Sequence, residues 1–333
     1  MRILVTGAAG FIGAHLTAKL IAEDHDVVAV DNFNEYYSPE LKIRRVSELL
    51  TPLGVQVQNV ALDQHSLTSA LFNINQFDCV YHLAAQAGVR IPIEDYTKYV
   101  TNNLVAFSNV ITCAAQANVK NFLYASSSSV YGNSPQKLFS EKDVGLEPIS
   151  FYGATKLANE VLAKSLSAVT GMKTRGLRFF TVYGPWGRPD MAYFRIFGNI
   201  LGGYEFNLMG DGNVVRDFTY IDDVISTSVK LGSELGSHAT GFSDVVNVGA
   251  GNPVSLDQMI AEIEKNLKAR LSIQLQSRNR NDVIRTSADS NYLSKLIGEN
   301  RITSLGAGIK LVSDWAKSPE VSVNLAKWSN TVA

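Results

Sequence analysis

Cysteine is scarce: the chain of 333 residues has two, Cys79 and Cys113. Both sit in apolar stretches. That reads as buried packing and leaves no material for a disulfide framework or a cysteine-built metal site, so no metal is expected. Excess charge of either sign is missing as well. With 30 basic and 31 acidic residues and a net charge of −1, neither a nucleic acid nor an anionic membrane is the expected main partner. No run is apolar over a length that would span a bilayer. Internal repeats and low-complexity linkers are absent too. The N-terminal MRILVTGAAGFIGAHL begins like a signal peptide, with one basic residue and then apolar ones. But Gly7, Gly10 and Gly13 recur every three residues, and His15 and Lys19 interrupt the apolar run. It reads as mature structure, and the protein as cytoplasmic.

What is present is enough for a full core: 46% of residues are hydrophobic, over a length that suggests two domains or one large domain with an attached lobe. Short apolar runs at 3–5, 27–30, 55–60, 79–83, 122–125 and 177–180 read as strands. Their continuous apolar character fits burial on both faces. Helical patterns lie between them. Ser38-Pro39-Glu40 looks like a helix start, with a capping serine and proline at the first helical position; Ser66 is a candidate cap for another. Alternation of this kind predicts an α/β fold, a Rossmann-type doubly wound parallel sheet. After about residue 183 the rhythm breaks, and Gly, Pro and Asn cluster in GPWGRPD, GDGN and GAGNP. We therefore expect a dinucleotide-binding domain over 1–180 and a smaller C-terminal lobe, mainly substrate-binding, over 181–333. The chain is expected to return to the first domain around 217–231.

GAAGFIG, Gly7 to Gly13, follows the first strand and opens a helix. The first glycine permits a tight turn, the second lets backbone approach a pyrophosphate, and the third lets helix pack on strand. The helix N-terminus, with Phe11 and Ile12, offers free N–H groups to phosphates. The spacing is GxxGxxG, looser than the general fingerprint. Asp31, with Asn32 beside it, ends the second strand at the distance where a carboxylate takes ribose hydroxyls. That carboxylate would repel a 2′-phosphate, so tightly bound NAD is expected rather than NADP. Arg44 and Arg45 read as a solvated helix face. Asp63 has two readings of similar weight, a contact to the adenine amino group or a cap for the helix near Ser66. Leu83, Ala84 and Ala85 close the fourth strand with residues small enough to let a cofactor lie against backbone.

Tyr152 and Lys156, in FYGATK, stand four apart on a helical pattern and share one face. A tyrosine base working near neutrality needs its pKa lowered from about 10, and a neighbouring ammonium favours phenolate. Upstream, ASSSSVYG ends a fifth strand with four serines, Ser126 to Ser129. In this combination the sequence resembles the extended short-chain dehydrogenase/reductases, which act mainly on nucleotide sugars. The resemblance covers nearly the whole chain and is closest to the UDP-glucuronate 4-epimerases. GAAGFIG, HLAAQAGVR, YASSSSVYG, YGATK, LRFFTVYGPWGRPDMA and RDFTYIDD carry it.

The resemblance implies Tyr152 as base, Lys156 as the residue that orients the nicotinamide ribose and lowers the tyrosine pKa, and Ser127 as the hydroxyl helper. It places Ser128 and Ser129 in the sugar pocket and leaves Ser126 structural or near the cofactor. Relatives that dehydrate or decarboxylate carry acids just after the helper; serines there cannot serve as acids near neutral pH. What remains is oxidation and return at carbon 4 of a UDP-sugar. Arg188 and Thr181 match positions that hold the sugar carboxylate, and a guanidinium suits that task. Arg216 matches a diphosphate contact, favoured over an ion pair with Asp217 or Asp222. Asp282 matches a nucleotide contact. However, its RNDVIR setting has Asn281 where the family usually has glycine and is rich in arginine (Arg278, Arg280, Arg285), which leaves the base end open. The competing readings are a decarboxylase or dehydratase, an epimerase of neutral UDP-sugars, and an NAD-binding regulator without catalysis. The helices around 100–116 and 154–166 are apolar enough to pair into a homodimer contact.

Overall fold

The computed structural model describes residues 1–89, 91–210, 212–277, 283, 285–299 and 302–329. Its strands are β1 (Arg2–Thr6), β2 (Asp26–Asp31), β3 (Val57–Asn59), β4 (Cys79–His82), β5 (Asn121–Ser127), β6 (Lys173–Phe179), β7 (Thr181–Tyr183), β8 (Glu205–Met209), β9 (Val215–Tyr220), β10 (Ser243–Val248), β11 (Pro253–Ser255) and β12 (Ser272–Gln276). Its helices are α1 (Phe11–Ala22), α2 (Pro39–Leu49), α3 (His65–Ile74), α4 (Tyr96–Tyr99), α5 (Ala106–Gln116), α6 (Phe151–Thr170), α7 (Ala192–Gly202), α8 (Ile221–Leu235), α9 (Leu256–Leu267), α10 (Asn291–Ile297), α11 (Leu305–Ala316) and α12 (Pro319–Ser329).

Seven strands form one parallel sheet in the order β10-β6-β5-β4-β1-β2-β3. Side chains alternate across it. Ile3 and Val5 of β1 join the core beneath α1 and α8, whereas Leu4 joins the core beneath α3 and α5. This is the Rossmann-type sheet expected from the sequence, and each of the six apolar runs contains or overlaps one of β1–β6. The strand order reverses between β1 and β4, and in such sheets ligands bind in the crevice at that point. The glycine loop after β1 and the Leu83–Ala85 segment after β4 both open there.

The remaining elements pack at the carboxyl side. β9 pairs with β7 in parallel and with β11 antiparallel, and β8 pairs with β12. α7 packs on α12 and α9, and α9 on α11. From this region α8 returns to lie against α1, and β10 adds the seventh strand beside β6. Helix starts are only partly as the sequence suggested. Ser38 and Pro39 do open α2, although the Ser38 side chain makes no cap bond. α3 begins at His65 with Gln64 at its cap position, so Ser66 lies within the helix and does not cap it. Both cysteines are buried and unpaired.

Candidate active site

The glycine turn is built by what its residues lack. Gly7 has φ +71°, and a Cβ there would stand 2.7 Å from the Ala84 backbone nitrogen. A Cβ on Gly13 would run into the Gly7 carbonyl. So β1, β4 and the start of α1 approach one another more closely than side chains permit. Gly10 occupies the cap position of α1 and leaves the helix N-terminus open. Asp31, buried at the end of β2, accepts from the Ala9 amide at 3.1 Å and the Phe33 amide at 2.8 Å. A short turn of backbone, an open helix N-terminus and a carboxylate at the next strand end fit a dinucleotide, with Asp31 on a ribose. Gln64, not Asp63, stands at the cap position of α3, and no side chain caps that helix.

Two cations near this turn were not foreseen in these roles. Arg45 is fully buried, contrary to its reading as part of a solvated helix face. Its Nη1 donates to the Ala9 carbonyl at 2.6 Å, its Nε to the Trp186 carbonyl at 2.8 Å and its Nη2 to the Gly187 carbonyl at 3.1 Å. Satisfied carbonyls on three sides make the burial tolerable. Arg44, one residue earlier, is half-buried and lies 3.9 Å from Glu48. Lys42 is buried too, donating to the Asn34 carbonyl at 2.6 Å and the Asn34 side chain at 2.8 Å. Burial holds its pKa down at about 8, against the pull of Asp31.

The residues that the sequence marks as catalytic candidates come from β5 and α6. Ser150 caps α6 by accepting from the Gly153 amide at 3.0 Å. A Cβ on Gly153 would lie 2.6 Å from the Ser129 carbonyl, so the glycine of YGATK lets the helix press against the serine turn. Ser127 is near enough to Tyr152 to pull its hydroxyl pKa down; its Oγ accepts from the Ser129 amide at 3.1 Å and donates to Ser129 Oγ at 3.1 Å. Ser128 and Ser129, both half-buried, form the turn that follows. Ser126 faces away and donates to Glu160 at 2.5 Å, within the buried Arg178–Glu160 pair.

Lys156 is buried, 5.7 Å from the Tyr152 ring centre, and donates to the Ala125 carbonyl at 2.9 Å. Burial lowers its pKa to about 7. At Tyr152 burial dominates and raises the hydroxyl above its usual value. The Arg188 guanidinium opposes this first, then the Ser127 hydrogen bond, while Asp190 adds to the rise. Arg188 is therefore a cation that tempers the tyrosine, an influence the sequence reading assigned only to Lys156. The same pattern of influence brings the 184–190 loop to the catalytic helix. That loop carries backbone strain: Trp186 has φ +61°. Its indole is held against Trp315 and Trp328 at ring separations of 5.4 and 6.3 Å.

Ser127 stands in register with Phe179, two residues before Thr181. Thr181 pairs with Phe218, two residues past Arg216. Arg216 Nη1 donates to the Val215 carbonyl at 3.0 Å. Asp217, one candidate ion partner for it, is committed elsewhere. Its carboxylate accepts from the amides of Ala250, Gly251 and Ala288 at 2.9, 3.0 and 2.9 Å. Arg285 forms an isolated parallel bridge with Val215, the residue next to Arg216. Asp282, with Arg278, Arg280 and Asn281, lies outside the described residues.

Sequence reasoning missed Asn103. The helix from α4 to α5 widens into a π turn at Val100–Val105, a feature frequent at functional sites. Asn103, buried in that turn, accepts from the Gln86 amide at 2.7 Å and donates to the Gln86 carbonyl at 3.2 Å and Thr155 Oγ1 at 3.1 Å. It ties the end of β4 to the helix that bears Tyr152. Polar TNN set inside an otherwise apolar helical stretch was the available signal.

Comparison with known proteins agrees with this geometry. The model of the NAD dependent epimerase/dehydratase family matches residues 3–249. The chain is 39% identical over 326 residues to UDP-glucuronate 4-epimerase 3 of Arabidopsis thaliana, covering 94% of this chain and 76% of that protein. It is 38% identical to Protein CapI of Staphylococcus aureus, over 95% of this chain and 98% of that one. A crystal structure of UDP-glucuronic acid 4-epimerase from Bacillus cereus, in complex with UDP-glucuronic acid and NAD, superposes with a TM-score of 0.87 at 33% identity, covering 95% and 99% of the two chains. With the glycine turn, the Ser127–Tyr152–Lys156 site and these matches in place, the chain belongs to the NAD-dependent epimerase/dehydratase family.

Proposed function

We propose that this protein is an NAD-dependent 4-epimerase of UDP-uronic acids, interconverting UDP-glucuronate and UDP-galacturonate through a 4-keto sugar. The observation that carries this reading is one arrangement. The helix that carries Tyr152 presses on the serine turn at Gly153, that turn presents Ser128 and Ser129 where a lyase would need a carboxylate, and Ser127 and Arg188 both act on the same tyrosine. Gly7, Gly10, Phe11, Ile12, Gly13, Asp31, Asn32, Asp63 and Leu83–Ala85 would hold NAD, together with Tyr152 and Lys156. NAD, when bound, supplies acceptance and return of hydride at carbon 4. Tyr152 as phenolate takes the proton of the sugar 4-hydroxyl and later returns it. Ser127 hydrogen-bonds the reacting oxygen, and Lys156, fixed by the Ala125 carbonyl, meets the nicotinamide ribose. Arg188 with Thr181 holds the carboxylate, Arg216 the diphosphate, and Asp282 the nucleotide end.

We assign the protein to the cytoplasm, a reducing compartment that suits two unpaired buried cysteines. No helix of the described residues is long and apolar enough to cross a membrane. We also assign a homodimer, in which α5 and α6 pair with their copies; Val105, Val161 and Leu162 stand exposed along one groove there. The function is tested by incubating the protein with UDP-glucuronate, UDP-galacturonate and UDP-glucose and identifying the products by mass and NMR. Interconversion of the two uronates without change of mass is expected. A product lighter by carbon dioxide or water would establish the lyase reading instead.

A further inference from the structure

Arg188 is already paired with a carboxylate of its own loop. Its Nε donates to Asp190 Oδ1 at 3.0 Å and its Nη2 to Asp190 Oδ2 at 2.7 Å. Nη2 also lies 3.7 Å from the Met191 sulfur. Nη1 makes no hydrogen bond among the described residues. Asp190 is held from the other side as well: Tyr36, in the loop after β2, donates to its Oδ2 at 3.4 Å. The Tyr36 hydroxyl in turn occupies the space where a Cβ on Gly88 would stand, and Gly88 has φ +85°. Neither partner of the ion pair is freely exposed; the side chains are 27% and 13% accessible. Asp190 is thus fixed between two loops of the dinucleotide half and the sugar-facing arginine.

A guanidinium has two edges that can take a carboxylate through paired hydrogen bonds, a side edge of Nε with Nη2 and an end edge of Nη1 with Nη2. Asp190 takes the side edge. We propose that Asp190 is a specificity-determining positioning residue: it aims the end edge of Arg188 at the substrate carboxylate and cancels part of the arginine's charge, so that uronates bind without being trapped. The inference rests on the epimerase reading, in which substrate and product carry the same carboxylate. An uncompensated Arg188 would bind both more tightly at every stage, which lowers KM without lowering the barrier and slows release. The opposite influences of Arg188 and Asp190 on Tyr152 agree with the two charges acting as one partly neutralised unit at the site.

The experiment measures the dissociation constants of UDP-glucuronate and UDP-glucose for the NAD-loaded protein by calorimetry. The variants are Asp190→Asn, Asp190→Glu, Arg188→Met and the double variant Asp190→Asn with Arg188→Met. Wild type should prefer the uronate. In Asp190→Asn, which keeps the shape and one hydrogen bond, that preference should rise about tenfold, entirely through tighter UDP-glucuronate. Asp190→Glu should stay near wild type, and the gain should vanish when Arg188 is Met. If Asp190→Asn melts before it can be measured, Asp190→Ser carries the same expectation. An unchanged or reduced preference in the neutral variant, or an equal gain in Asp190→Glu, overturns the proposal. Loss of uronate preference in the wild type itself would count against the epimerase reading and is scored separately.

Discussion

The glycine turn after β1 and the loops here proposed to meet the substrate are both held backbone, yet they are held by opposite means. Around Gly7 and Gly13 backbone meets backbone because side chains are missing. Around the 184–190 loop and the 250 and 288 segments, buried charges do the holding. Arg45 gathers three carbonyls, and Asp217 gathers amides that lie 33, 34 and 71 residues further along. The first device is seated in one short stretch, Gly7 to Gly13, closed against the Ala84 backbone, and is general to dinucleotides. The second joins distant segments and can be retuned one residue at a time. On this view the first half supplies chemistry common to the family and the second supplies choice of sugar.

Three experiments can break that division. Tyr152→Phe should lower kcat by about 10²–10⁴-fold on every sugar it accepts, with NAD retained and the melting temperature near wild type. A loss confined to uronates would show that base and selectivity are not separable. Arg188→Ala should be narrower and smaller. A charge-assisted pair to a carboxylate is worth about 1.5–3 kcal/mol, so use of UDP-glucuronate should fall about ten- to a hundredfold while UDP-glucose changes little. Residual turnover should also release UDP-pentose, because the 4-keto uronate is a β-keto acid whose carboxylate is then no longer held away from alignment with the ketone. Equal damage to UDP-glucose would merge the two regions into one site.

The third experiment concerns Lys156 and sharpens the comparison by locating a cost of burial in the first half. Its folded pKa of about 7 lies below the ordinary 10.5. Between those values the unfolded chain holds a proton that the folded chain has released, so stability rises with pH across that window and is lost as pH falls toward 7. The slope from this group is at most about 1.4 kcal/mol per pH unit. Thermal melts of cofactor-stripped protein between pH 7 and 10 should show the rise, and Lys156→Met should flatten it. An unaltered slope in that variant would mean other groups, Lys42 among them, govern the window.

The same contrast explains what could be read beforehand. β1, β2 and β4 announce themselves as apolar runs because a strand buried on both faces leaves no polar alternation. By contrast β3, VQN, is mostly exposed and β6, KTRGLRF, buries two arginines, so only parts of their surroundings read as apolar. β10, SDVVNV, does not announce itself: it sits in a polar, glycine-rich region and becomes a strand by pairing with β6. The glycine turn, Asp31, Tyr152 and Lys156 were legible because spacing alone relates them. Arg45 was misread because its acceptors at Trp186 and Gly187 stand 141 and 142 residues away; nothing nearby distinguishes it from Arg44. Asn103 and the Tyr36 side of Asp190 likewise depend on partners that only the folded chain brings close, and Ser66 stands two residues past the cap position of its helix.

The π turn at Val100–Val105 makes this part of the molecule sensitive to counting rather than to spelling. One extra residue is accommodated there without a loop, and each residue of a helix accounts for about 100° of rotation. Deleting any one residue from the segment would let the helix close into regular α form and would turn Tyr96–Tyr99 about a quarter-turn or more against Ala106–Gln116. Asn103 would swing off Gln86 and Thr155, and Tyr99, whose ring lies 6.1 Å from that of Tyr152, would leave its place. A single-codon loss here should therefore cost more than most substitutions at the same positions, and proteins that keep this site should keep the length of the segment even where its letters drift.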